Sequence, residues 1–298
     1  MPRRRNLRSR VGILKFLYIT DTHIGCSHDG YHLQPRYVGC EEQLFAGLAR
    51  WVAEHDIRFV VHGGDLTDHG TPEEIDRAVA LCGGLGVPVY LCLGNHDLAR
   101  ADSIERWRSD AKTLLPEGET SFIVDAGPVA LHVIAHHWHP DIGYRWQADR
   151  PQEPRLDGNR VDALEASLKR TNRPAIAVTH APINAVPRRQ CGRDEAFHPP
   201  YRPYAETWRR IIRANRNLRL VLTGHNHAFS ESGDTFSCTT PAFNEIPAQA
   251  RVVTVRERTI EIETVSLAAD LALPATPDPE TAWCIGPPGT FEIRYAED

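Results

Sequence analysis

No CxxC pair occurs among the seven cysteines of this chain, Cys26, Cys40, Cys82, Cys92, Cys191, Cys238 and Cys284. That absence excludes a cysteine-rich zinc site, and an odd, scattered set reads as reduced thiols of a cytoplasmic protein. No segment approaches the roughly 20 apolar residues that a membrane-spanning helix requires, so no membrane partner is expected. Positive charge is not in excess either: 34 Lys and Arg against 39 Asp and Glu leave a net charge of −5. Without a broad basic field, the composition argues against a nucleic-acid partner. A phosphate-bearing substrate would have to be held by local charge, and metal ions are one source of it. No internal repeats are present.

With 298 residues the chain can bury a sizeable core, and one domain with embellishments is the default. Residues 1–11 form a basic arm, read as disordered. The apolar run from Val11 to Ile19 has no small-residue cleavage site after it and reads as a first core strand rather than a secretory signal. The main domain is placed at residues 12–267. A Pro-rich tail that wraps it follows at 268–298, with one late strand-like run, Phe291–Tyr295.

Short apolar, β-branched runs at Leu14–Thr20, Arg58–His62, Val89–Leu93, Val129–Ala135, Ala175–Thr179 and Arg219–Thr223 predict buried strands. Amphipathic stretches at Glu41–His55, Pro72–Leu85, Ser103–Thr113, Val161–Arg170 and Tyr204–Ala214 predict helices between them. Thr71-Pro72-Glu73-Glu74 has the chemistry of a helix start: a hydroxyl cap, proline first, acids in the opening turn. This alternation implies an α/β domain. After Gly224 the pattern changes to strands alone, at Thr235–Thr239, Val252–Arg256 and Thr259–Thr264. Three long irregular segments, residues 25–39, 136–159 and 182–203, have the length of lids or substrate loops.

The polar residues concentrate where the strands end. Asp21-Thr22-His23 follows the first, Gly63-Gly64-Asp65-Leu66-Thr67-Asp68 the second, and Gly94-Asn95-His96-Asp97 the third. His180 and Gly224-His225-Asn226-His227 follow two later ones. Open α/β sheets bind their ligands at the carboxyl edge of the strands. Asp21, His23, Asp65, Asn95, His180, His225 and His227 are seven candidate metal ligands, too many for one ion and suited to two that share a carboxylate. A mixed oxygen and imidazole set without thiolate suits manganese, iron, zinc, cobalt or nickel in a catalytic site.

Taken singly, each cluster has an ordinary reading: Asp and Asn are common turn residues, Asp68 and Asp97 can cap helices, and a lone His180 is more often structural. The conjunction of all five overrides those readings. Outside them, His62, His69 and His132 read as strand or turn residues, and His28, His32, His55 and His198 as surface or loop residues. His136-His137-Trp138-His139 reads as a contact at the substrate rim. Arg100, Arg188 and Arg189 are candidate phosphate partners, although solvated arginines are commoner.

The set resembles the calcineurin-like metallophosphoesterase superfamily, whose motifs DxH, GDxxD, GNH[DE], H and GHxH occur here in that order between Leu14 and Leu267. The resemblance implies a four-layer α/β/β/α sandwich of two mixed sheets. It implies two divalent metal ions, one held by Asp21, His23, Asp65 and His227 and the other by Asp65, Asn95, His180 and His225, with Asp65 shared. It gives catalysis to His96, oriented by Asp68, and a metal-bridging hydroxide as nucleophile. The substrate implied is a small-molecule phosphoester. The residues after Asp65 and after Gly94 are nearest the class III cyclic-nucleotide-phosphodiesterase-like branch, which points to a phosphodiester. His69, where phosphoprotein phosphatases usually carry Arg, argues against a protein substrate. The alternatives are a phosphomonoesterase, an SbcD-type DNA nuclease, whose opening Phe16–Gly25 also resembles, and a non-catalytic scaffold on the same fold. A homodimer is compatible with the sequence, which fixes no oligomeric state.

Overall fold

Alternation along the first strand, β1 (Leu14–Ile19), sets out the architecture. Successive side chains of a strand face opposite ways. Phe16 and Tyr18 enter one apolar cluster with Val61, Leu131, Ile176, Leu220 and Val253, all strand residues. Leu17 and Ile19 enter another, shared with the helix residues Leu44, Phe45 and Leu48. Both faces are buried, so the strand reads as a continuous apolar run.

The computed structural model describes residues 13–171, 173–233 and 236–294. The basic arm at 1–11 lies outside them, as do Thr235 and Tyr295 at the ends of two expected strands. In chain order the elements after β1 are α1 (Glu41–Glu54), β2 (Val60–His62), α2 (Pro72–Gly83), β3 (Val89–Leu91) and α3 (Ser103–Asp110). Then come β4 (Ser121–Ala126), β5 (Val129–Ile134), α4 (Gly158–Arg170), β6 (Ala175–Val178), α5 (Arg188–Cys191) and α6 (Arg202–Ala214). The chain continues through β7 (Leu218–Thr223), β8 (Ser230–Ser232), β9 (Ser237–Thr239), β10 (Gln249–Val255), β11 (Thr259–Ser266) and β12 (Gly289–Arg294).

Two six-stranded sheets result, ordered β12-β11-β10-β1-β2-β3 and β4-β5-β6-β7-β9-β8. Both are mixed. β1, β2 and β3 run parallel while β10 joins β1 antiparallel. In the second sheet β5, β6, β7 and β9 run parallel, flanked by antiparallel β4 and β8. The sheets face each other across the Phe16–Tyr18 cluster and carry helices outside, a four-layer α/β/β/α sandwich.

α2 begins as its sequence dictates: Thr71 Oγ1 accepts the Glu74 N–H, and the Glu74 carboxylate accepts the Thr71 N–H. The late strand β12 completes the first sheet against β11. Unforeseen elements are β4, β8 and the short α5. β4 is an edge strand whose Ile123 is 51% exposed, so alternation there is weak.

The parallel strands bring the motifs together. β1, β2 and β3 of one sheet and β6 and β7 of the other end at the same rim, where the hydrogen bonds Asp21 N–H to Gly64 O (2.9 Å) and Gly224 N–H to His180 O (2.9 Å) join neighbouring loops.

Candidate metal centre

Five of the seven candidate ligands leave their strands in the left-handed region: Asp21 (φ 55°), His23 (φ 48°), Asp65 (φ 53°), His225 (φ 75°) and His227 (φ 55°). Non-glycine residues seldom adopt this conformation, and each costs on the order of 1–3 kcal/mol, so such clustering marks a functional site. Two motif glycines allow the close approach. A Cβ on Gly94 would meet Asp65 Oδ1 at 2.2 Å, and one on Gly224 would meet Asp21 Oδ2 at 2.5 Å.

The ligand atoms fall into groups. Asp21, His23 and His227 form one and Asp65, His180 and His225 another, with the atoms of each within 4.8 Å of one another. Asn95 joins the second, its Oδ1 lying 2.8 Å from His225 Nδ1. Asp65 faces both: its Oδ2 is 3.1 Å from His180 Nε2 and 3.9 Å from His23 Nε2. Backbone amides fix the carboxylates, His96 N–H donating to Asp65 Oδ1 (2.8 Å) and His225 N–H to Asp21 Oδ2 (3.0 Å).

Each of the four histidines has one nitrogen tied from outside. His23 Nδ1 meets Asp68 Oδ1 (2.8 Å), His180 Nδ1 the Gly63 carbonyl (2.8 Å), His225 Nε2 Gln152 Oε1 (2.7 Å) and His227 Nδ1 Glu245 Oε1 (2.6 Å). Such partners set the tautomer and leave the opposite nitrogen for a ligand. A third group, His23, Asp68 and His96, also meets the distance test, but there the His23–Asp68 hydrogen bond already occupies the atoms.

Asp68, expected to orient His96, meets two histidines in this arrangement. Its carboxylate bonds His23, and stands 3.6 Å from His96 Nδ1 as a neighbouring charge. The Asp68 main-chain carbonyl is what fixes His96, at 2.7 Å from Nδ1. The Nδ1 hydrogen is therefore committed and Nε2 is free. Asp97 caps nothing; buried, it accepts from Thr67 N–H and Oγ1 and from Gly94 N–H, tying two motif loops together. Burial, with Asp65 nearby, pushes its carboxyl up to about 6.

Glu245 was not foreseen. It follows Asn244 in a loop without a motif, and only folding places it on His227; its other oxygen accepts the Leu33 and Gln34 N–H groups. Glu245→Ala is expected to weaken manganese binding by about 10–100-fold, the usual effect of removing a partner that orients a ligand. Calorimetric titration would measure it, and an unchanged affinity would rule out the orienting role.

The electrostatics suit divalent cations. Among the described residues, the only basic groups within 4.0 Å of the buried Asp21 and Asp65 carboxylates are histidines. Burial raises the Asp21 carboxyl, and His180 and His227 more than reverse it, to about 2. Burial lowers His180, but Asp65 and Asp21 bring it to about 9; burial lowers His227, but Glu245 and Asp21 bring it to about 10. Burial holds His23 and His225 well below the ordinary imidazole value. His180 Nε2 is buried beside the Asp65 carboxylate, at 3.1 Å, and the Nε2 atoms of His23 and His227 converge to 3.2 Å. Donor atoms aimed at common points, with negative charge buried beside them, fit a pair of divalent ions.

Above these groups lies a cavity of about 340 Å³. His23, Asp65, Asn95, His96, His225 and His227 form its floor; Tyr31, Trp146, Gln152 and His198 form its rim. The rim comes from the three long loops. His198, read as a surface or loop residue, instead lines the site, and Trp146 rests on His96 with ring centroids 4.9 Å apart. The His136–His139 run does not reach the rim. His136 is buried against Thr179, and Trp138 packs behind His225 with ring centroids 5.1 Å apart. Arg100 pairs with Asp102 outside the cavity.

Comparison with known proteins agrees with this geometry. Residues 14–229 match the calcineurin-like phosphoesterase family. A probable cyclic nucleotide phosphodiesterase of Rhodopseudomonas palustris is 38% identical over 90 residues, 30% of this chain. The match spans only 31% of that protein's length. A dimetal phosphatase from Danio rerio superposes with a TM-score of 0.64 at 14% identity, covering 84% of this chain and 95% of that one. A purple acid phosphatase from yellow lupin seeds gives 0.59 at 13% identity, covering 96% of this chain and 54% of that one. At such identities the likeness concerns the fold.

Proposed function

The chain belongs to the calcineurin-like phosphoesterase family, and from that premise we propose that it is a metal-dependent phosphoester hydrolase whose substrate is a small phosphodiester, a cyclic nucleotide being the first candidate. One observation carries the choice of diester. None of the described residues lining the cavity is Lys or Arg. A phosphomonoester carries close to two negative charges at neutral pH, with a second pKa near 6, and a diester carries one. A rim of Tyr31, Trp146, Gln152 and His198 offers faces for an organic group and no further positive charge. The same rim speaks against a nuclease, because a single strand is tracked by a basic groove.

Asp21, His23, Asp65 and His227 would hold one ion, and Asp65, Asn95, His180 and His225 the other. Manganese, iron or zinc are the first candidates, with cobalt and nickel also suited to this donor set. When bound, such ions supply positive charge to the phosphate and make water a stronger nucleophile at neutral pH. The chain does the rest. As the imidazolium, with its Nδ1 hydrogen held by the Asp68 carbonyl, His96 presents its Nε2–H to the departing ester oxygen as acid or hydrogen-bond donor. Trp146 covers one face of that imidazole and limits its rotation. The main-chain amides on Asp21 and Asp65 keep both carboxylates from turning away.

Manganese-reconstituted protein should be assayed on bis(p-nitrophenyl) phosphate, p-nitrophenyl phosphate, cyclic AMP and single-stranded DNA. The diester kcat/KM is expected to exceed that of the monoester by about tenfold or more, one unmatched charge amounting to at least 1.4 kcal/mol at a desolvated site. Preference for the monoester would overturn the reading. Cleavage of DNA alone would replace it with a nuclease, and inactivity on all four with every candidate metal with a scaffold.

A further inference from the structure

A second, smaller cavity of about 100 Å³ adjoins the first. Gln152, His198 and His225 line both. The remaining walls are Pro154, Ala181, Pro182, Pro199, Pro200 and Tyr201. None of the described residues lining this recess is Asp, Glu, Lys or Arg. Its volume corresponds to about three waters, at roughly 30 Å³ each. Four prolines make a wall with fixed φ that loses little freedom when something packs on it.

The recess is held from two loops. Arg155 donates to Tyr201 Oη (3.0 Å) and to Glu153 (2.8 Å), joining one loop to the residue that opens α6. Bridges His137–Arg155 and Val186–Phe197 brace the two loops internally. At His198 a left-handed backbone (φ 50°) turns the chain where the wall passes from imidazole to proline. The Gln152 amide oxygen is already engaged by His225, which leaves the Gln152 amide nitrogen and the His198 ring as the polar groups of the partition.

A phosphodiester has two ester oxygens on phosphorus, one departing and one retained; in a cyclic nucleotide both belong to one ribose, and the nucleoside stays attached through the retained oxygen. His96, under Trp146, marks the departing side. His225, whose ring lies 5.0 Å from that of His198, marks the other, where the partition stands. We propose that the proline-walled recess is the subsite for the retained ester group of the substrate, and that it takes a flat, uncharged ring. This rests on the diester reading above.

The test compares bis(p-nitrophenyl) phosphate with methyl p-nitrophenyl phosphate, which share a leaving group and differ in the retained one. Manganese-loaded protein of this sequence, Tyr201→Ala and Tyr201→Phe are measured. Whatever happens to either rate, the ratio of kcat/KM values is expected to fall about tenfold in Tyr201→Ala, within the range by which an apolar pocket discriminates. In Tyr201→Phe, which keeps the ring and loses only the hydroxyl contacts, the ratio should stay within about twofold of the parent. A ratio unmoved in Tyr201→Ala, with both diesters still hydrolysed, overturns the subsite and spares the diester reading. Turnover of p-nitrophenyl phosphate but of neither diester overturns both. Should Tyr201→Ala fail to fold, inhibition of the parent decides: diphenyl phosphate is expected to bind at least about tenfold more tightly than dimethyl phosphate, and equal inhibition constants sink the proposal.

Discussion

Asp65→Ala is expected to empty both metal positions and to cut phosphodiester turnover by about 10³-fold or more, since the charge stabilisation at stake is worth several kcal/mol. Asp65 reaches both histidine groups, His180 Nε2 at 3.1 Å and His23 Nε2 at 3.9 Å; Asp21 lies on the His23 and His227 side and stands farther from His180 Nε2, at 3.8 Å. Its second oxygen is held by the His96 N–H, and Gly94 packs too close to admit any larger residue. Alanine would remove the shared oxygen and the charge together. Metal analysis of the purified variant checks the first half of the expectation, and a fully loaded variant would end the shared-ligand assignment. Thermal melting of the metal-free proteins gives a second reading. Asp65 holds the buried His180 imidazole up at about 9, so the metal-free variant, having lost one half of a buried charge pair, is expected to melt below the metal-free parent. Added manganese should raise the melting temperature of the parent and not that of the variant.

His96→Ala is expected to keep its metals and lose about 10²–10⁴-fold in kcat, the range in which a positioned general acid contributes. The separation follows from geometry. His96 shares a wall of the cavity with the ligand groups, but its Nδ1 hydrogen goes to the Asp68 carbonyl and its Nε2 is left for substrate. KM should change far less than kcat, because the interaction strengthens as the ester oxygen departs. Equal kcat for variant and parent would remove His96 from the chemistry. Loss of metal would instead place it among the ligands.

Much of the fold was legible because its strands are buried on both faces. The runs that became β1, β5, β6 and β7 are short, apolar and β-branched, and α2 opens with a proline behind a threonine cap. β4 was not legible, although Phe-Ile-Val lies within it, because on an edge strand half open to water the apolar run is only three residues long and ends at Asp125. All seven expected ligand residues gather at one rim, since each follows a parallel strand and parallel strands end on the same side. The surrounding residues were harder to find. Tyr31, Trp146, Gln152 and His198 sit on loops whose length alone marked them, and Glu245 carried no local signal.

The amino-acid order by itself determined the strand and helix succession, the residues at the strand ends and the class of chemistry those residues serve. These are local properties: periodicity, turn chemistry and donor type are written within a few neighbouring positions. Only the tertiary structure decided which nitrogen of each histidine stays free, that Asp68 binds His23 through its carboxylate and His96 through its carbonyl, and which side chains wall the cavity. Those outcomes depend on contacts between residues far apart in the chain, such as His227 with Glu245 and His225 with Gln152. Distances of that kind are fixed by how two sheets pack, and no stretch of sequence carries them alone.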